Sequence, residues 1–298
     1  ILDLMNSILD ASSASDFVLI SYVDVACLTL LTYDTLLSAG QEYKHIWKSQ
    51  WGVIKVLYLW SRYGAFIDTT IAVQKRVGNV GPSYCRFATD FDTLFSGLGI
   101  GVTEIILMIR TYAQYNRAKK LLAFFFLSWF ITGGVCLWVV IQWSKSFTME
   151  ASVPSLTSCN VESSAVGIAC YAALLGGETV TVLLTLWKGI YFFFLPKSQQ
   201  KHLHVMTTFY RDGIIFYLVM LFIFIAVAVL RFVAPMPLQD AGDTPLRVIH
   251  SISACHLVIR VREVAIQDSE DVTGGLITSG LNFGSPSAAA SRSCRETH

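Results

Sequence analysis

LLAFFFLSWFITGGVCLWVVIQW, residues 121–143, runs twenty-three residues without one charged side chain. A helix rises about 1.5 Å per residue, so this length covers the roughly 30 Å hydrocarbon core of a bilayer. A helix also satisfies its own backbone hydrogen bonds, which lipid cannot do for it. Working outward, five further stretches have similar length and character: 17–39, 51–73, 87–109, 165–187 and 213–233. A seventh, 238–261, is interrupted by Pro245, Arg247, His250 and His256. It reads either as a span or as an amphipathic helix on the membrane surface.

Composition points the same way. Of 298 residues, 54% are hydrophobic and 14% charged, with a mean hydropathy of +0.55. A soluble domain carries about a quarter charged residues, so this chain lacks the polar surface to cover a sphere in water. The net charge of +1 gives no footprint for nucleic acid. The expected fold is all-α, an integral membrane bundle of about seven transmembrane helices spanning 17–263. A flexible segment over 1–16 is expected before it, and a disordered cytoplasmic tail over 264–298 after it. Residues 1–15 lack a basic n-region and compact apolar core, so the first span is expected to act as its own insertion signal.

Loop charge sets the expected orientation. With the N-terminus outside, the cytoplasmic side receives Lys44, Lys48, Arg110, Arg117, Lys119, Lys120, Lys188, Lys197, Lys201, Arg211, Arg260 and Arg262. The outer side receives Lys75, Arg76, Arg86, Lys145 and Arg247. Twelve against five is a positive-inside bias, which places the C-terminus in the cytosol of a plasma or secretory-pathway membrane.

Ionisable residues inside the spans are the candidate ligand-binding or ion-pair positions: Asp24, Asp34, Arg62, Asp68, Asp90, Asp92, Glu104 and Glu178. Charge in hydrocarbon is costly and faces either a partner or a water-filled cavity. Two readings stand side by side. In one, carboxylates line a polar cavity open to the outer side with Arg62 at its floor. In the other, Arg62 pairs with Glu178 or Asp24 and locks the bundle. Gly97 with Gly101, and Ala172–Gly176 with Ala173–Gly177, supply small-residue steps for close helix packing.

Seven cysteines are too sparse for a disulfide scaffold. Cys27, Cys136, Cys170 and Cys255 fall in apolar runs, where cysteine serves as a small hydrophobe. Cys85 and Cys159 would both face the oxidising side, as a disulfide or as two thiols. A disulfide between those two positions would resemble the arrangement in rhodopsin-type receptors. Arg110-Thr111-Tyr112 loosely resembles their Asp-Arg-Tyr switch, with Ile109 at the acidic position, although charge bias alone also places a base there. No lysine lies in the seventh segment to carry retinal. The histidines are scattered, and no phosphate loop, nucleotide fingerprint or nucleophile elbow is present. Neither catalysis, a metal nor a cofactor is expected.

A more specific resemblance comes from short motifs in order along the chain. Tyr33-Asp34-Thr35-Leu36-Leu37 with Glu42, Ile46 and Trp47, then Arg62-Tyr63, resemble the opening of a basidiomycete fungal membrane family, domain of unknown function 6533. Glu178-Thr179-Val180, Leu186-Trp187-Lys188, Tyr210-Arg211-Asp212-Gly213 and Arg247-Val248-Ile249-His250-Ser251 are similar to its later helices. Cys255-His256 stands where the family typically has Cys-Arg. The resemblance implies a signature region over 22–63 and a last helix within the bundle, and it implies no activity. The functional expectation is a receptor-like or sensory protein binding an unidentified ligand from outside. The basic loops 110–120 and 188–211 would then meet a cytoplasmic protein. The alternatives are a proton-coupled or small-solute carrier and a non-catalytic membrane scaffold.

Overall fold

A computed structural model describes residues 2–78, 81–115, 118–145, 165–193, 204–234 and 236–281. Seven long α-helices account for nearly all of them: α1 Leu2–Glu42, α2 Val53–Val77, α3 Pro82–Gln114, α4 Lys119–Lys145, α5 Ala165–Phe193, α6 His204–Val233 and α7 Asp243–Leu281. No strand occurs among the described residues. Residues 1–259 form one compact unit and 260–298 a second, of which the described part continues the helix to Leu281.

Two boundaries differ from expectation. Residues 2–16 are helical rather than loose, continuous with the rest of α1. The tail is helical as far as Leu281, because no proline follows Pro245 until Pro286. The remainder, 282–298, lies outside the described residues.

Among the described residues four stretches are long and apolar enough to cross a membrane: Ser15–Trp47, Ser83–Gln114, Lys119–Gln142 and Ala172–Tyr191. Tyr217–Val233 of α6 is apolar but shorter, and α2 and α7 do not qualify by composition. The outside of the bundle is nonetheless apolar. Leu36, Leu37, Leu127, Phe130, Phe222 and Phe232 are exposed, while Arg62, Asp68, Glu178, Arg247 and His250 are buried. Water would oppose that arrangement on both faces; a lipid environment favours it.

Paired positions give the helix directions. Arg76 meets Asp24 while Arg62 meets Asp34, so α1 and α2 run antiparallel. Arg247 meets Asp68 while Ser251 meets the Ser61 carbonyl, so α2 and α7 do the same. One end of the bundle therefore carries the α1–α2 and α3–α4 connections and the other the α2–α3 and α6–α7 connections.

The α1–α2 connection tightens into a π-helical turn, Tyr43–Trp47, whose last carbonyls need donors. The buried Lys55 supplies them, donating from Nζ to the carbonyls of Trp47 (3.1 Å) and Ser49 (2.9 Å). At the other end of α7 a 3-10 turn, Met236–Gly242, precedes the helix.

α7 is the centre of the core. Four clusters hold the interior, and each contains an α7 side chain: Ala254 and Cys255, Val248, Leu257, and Leu246. Between Leu246 and Ile259 the buried positions cover well over half of the helix circumference. A helix lying on the membrane surface would bury one stripe only, so this segment belongs inside the bundle.

Candidate functional site

Polar contacts along α7 fall at three levels. At the α2–α3 end, Arg247 Nε donates to Asp68 Oδ2 at 2.7 Å, and both side chains are 2% exposed. The guanidinium occupies the space that Gly99 leaves: a Cβ there would coincide with it. Around this pair stand Arg76–Asp24 (2.8 Å), Lys75–Asp92, and Arg231 with Asp240 (2.8 Å) and Asp243 (2.7 Å). Asp90 is half-buried and takes no ion-pair partner among the described residues.

One turn on, His250 is fully buried between α3 and α5. Its Nδ1 meets Thr103 Oγ1, and its Nε2 lies 3.0 Å from Glu178 Oε1. Glu104 of α3 is buried close by, and a small cavity of about 10 Å³ is lined by Glu104, Leu107, Met108, Gly177, Glu178 and Thr181. That is room for about one water molecule.

Towards the α1–α2 end, Arg62 is fully buried and donates to Asp34 Oδ2 at 2.6 Å and to the Ser38 hydroxyl. Glu42 Oε2 lies 3.9 Å from Arg62 Nε, while Glu42 Oε1 accepts from Tyr63 (2.8 Å) and Trp47 (3.1 Å). His256 of α7 reaches the other oxygen of Asp34 at 2.7 Å. One carboxylate on α1 thus ties both α2 and α7. Helical side chains lean towards their own N-terminus, so Arg62 reaches down towards the C-terminal end of α1. The expected partners, Glu178 and Asp24, lie at other levels: Glu178 takes His250 and Asp24 takes Arg76. Arg62 is not among the residues lining the cavity.

Several participants were absent from the sequence-based set. Lys55 and Glu42 lie near span ends, where charge is ordinary; Arg247 and His250 read as interruptions rather than as partners. Arg110 is buried too, with its guanidinium 5.8 Å from the Tyr217 ring.

Of the glycines expected at helix contacts, Gly101 and Gly177 lie against Trp129 and Thr132 of α4, whereas Gly97 and Gly176 have nothing within contact distance. Cys27 and Cys255 are free and buried. Cys85 and Cys136 are disulfide-bonded, so Cys136 is not the simple apolar filler its surroundings suggest. Cys159 and the side chain of Cys170 lie outside the described residues. Among the described residues no group of histidine, cysteine and carboxylate side chains could hold a metal ion.

A family model described as a family of unknown function, DUF6533, matches residues 22–67. The match covers α1 from Tyr22, the π-helical turn and the first half of α2, which is the stretch holding Asp34, Glu42, Lys55 and Arg62. The match shows that this stretch is similar to that family. No curated protein and no solved structure matches the chain.

Proposed function

We propose that the chain is a seven-span membrane protein of receptor type, with its N-terminus outside and its C-terminus in the cytosol. Ligand arrives at the α2–α3 end, and α7 carries the response to the α1–α2 end. The observation that carries this reading is Asp34, held by Arg62 of α2 on one oxygen and by His256 of α7 on the other. Buried ion pairs add little net stability, so a bundle cross-linked by so many of them gains something other than stability. A shared carboxylate provides two alternative states, with α7 bound to α1 or released from it.

The orientation has two supports. Loop basic residues divide twelve to five along the sequence in favour of the side expected to be cytoplasmic. Cys85, at the start of α3 and so at the opposite end, is disulfide-bonded, and disulfides persist on the oxidising side. The membrane is the plasma membrane or one of the secretory pathway.

Proximity labelling from the C-terminal tail tests the reading, comparing wild type with His256→Phe. A cytosolic protein whose labelling needs loops 110–120 and 188–211, and changes in H256F, is the expected result. No labelled partner under any growth condition contradicts it.

A proton-coupled or small-solute carrier is the second reading, favoured by the cavity between Glu104 and Glu178. It expects pH-dependent uptake in reconstituted vesicles. Against it, Asp24, Asp34 and Asp68 are each closed by a basic partner.

A further inference from the structure

The cavity at the middle level has a feature that ion pairing does not account for. Glu104 Oε1 and Glu178 Oε2 are both buried and both without a hydrogen-bond partner among the described residues, and both side chains line the same water-sized space. Glu104 is 7% exposed and Glu178 2%. Two bare carboxylates in such a place would repel each other with little solvent to screen them.

Hydrogen-bond direction fixes how many protons the neighbourhood holds. The Thr103 hydroxyl has one hydrogen, which it donates to the Ile100 carbonyl at 2.7 Å. His250 Nδ1 must therefore be the donor in its contact with Thr103 Oγ1. At Nε2, either the imidazole is neutral and Glu178 donates as an acid, or the imidazolium donates to a carboxylate. Both descriptions leave the His250–Glu178 pair neutral overall, with one proton shared between them. Glu104 is then the one acidic group of the cluster without a counter-charge.

Among the described residues the surroundings do not supply one. On α3, Arg110 lies about a turn and a half further along, over the Tyr217 ring. On α6, the Tyr217 hydroxyl donates to the Leu107 carbonyl at 3.1 Å. On α7, Arg247 is committed to Asp68 of α2. On α4, Thr132 beside Gly177 is uncharged.

We propose that the cavity between α3 and α5 is a proton-binding site, in which Glu104 carries its proton as the neutral acid and directs it towards Glu178 Oε2, directly or through one water. The loaded cluster is neutral and holds two protons besides the Nδ1 hydrogen of His250: one on Glu104 and one shared between Glu178 and His250. Transfer of the Glu104 proton through the water to Glu178 Oε2, with the Oε1 proton held by His250 Nε2, leaves Glu104 as the carboxylate, Glu178 as the acid and His250 as the imidazolium, so protons and charge balance with no other reactant. The ligand is thus a proton, bound midway through the bundle against the helix that links its two ends. The inference needs the buried cluster only and stands or falls apart from the receptor reading.

Infrared spectroscopy of the full chain in nanodiscs of neutral phospholipid tests it. The wild type is expected to show a protonated-carboxyl C=O stretch at neutral pH that shifts in heavy water. Glu104→Gln is expected to lose the Glu104 component of that band while melting close to wild type, because the amide copies a neutral acid in size and polarity. Should E104Q fail to fold, Glu104→Asp carries the same readout through a shifted band. A wild type without the band, or a band unchanged in E104Q or E104D, overturns the proposal. So does a melting temperature that rises with sodium in wild type but not in E104Q, since the carboxylates would then be ionised and holding a cation.

Discussion

Arg62 shows how one side chain decides the meaning of its neighbours. It is fully buried, so the charge is tolerable only because Asp34, Ser38 and Glu42 surround it. Removing one partner of such a pair strands the other: Asp34→Ala and Arg62→Ala should each cost about 3–5 kcal/mol, measured by reversible unfolding in detergent. The double variant should cost less than the sum, since it leaves no lone charge. The same cycle at Arg247 and Asp68 should give the larger coupling, because that pair is almost fully dry. Additive losses at either pair would mean that the contact does not form. At this scale the sequence showed which residues carry charge inside the apolar stretches and not which of them meet. Asp34, Arg62 and Glu178 stand out in any apolar stretch, but spacing along the chain says nothing of register between helices, nor that Arg62 leans towards the α1 C-terminus.

At the scale of the element, α4 and α7 are opposite cases. Residues 121–143 are legible at sight because α4 meets few neighbours and turns Phe126, Phe130 and Trp138 outward. α7 is hard to read because hydropathy averages over environments. Its Arg247, His250 and Ser251 lower the mean, yet each is satisfied inside the bundle. A helix surrounded by protein can carry polar groups that a lipid-facing helix cannot. Glycine spacing was informative at Gly101 and Gly177, which face α4, and not at Gly97 and Gly176, because a GxxxG step marks a face without saying what that face meets. Here the close approach is at Gly99, between the two expected positions. Gly99→Ala should therefore lower the melting temperature markedly, by displacing the Arg247 guanidinium, whereas Gly97→Ala should leave it nearly unchanged. Equal effects of the two substitutions would place α7 elsewhere.

Within residues 2–259, six helices pack with the first part of α7, with apolar side chains on the outside and ion pairs within. The helical, apolar character of the chain was visible from composition and run length, as were the charges lying within the runs; Glu42, Lys55, Arg247 and His250 were not read as interior groups. The central place of α7 and the shared Asp34 were not visible either, since both are products of packing. The orientation is the claim on which the receptor reading depends, because it decides which end meets ligand and which meets the basic-loop partner. Glycosylation-acceptor scanning in a secretory-competent cell tests it most directly. Acceptor sites inserted near residue 79 and within 146–164 should be modified, and those near 117 and 198 should not. Modification confined to 117 and 198 would invert the molecule, and modification near both 79 and 117 would mean that α3 does not cross the membrane.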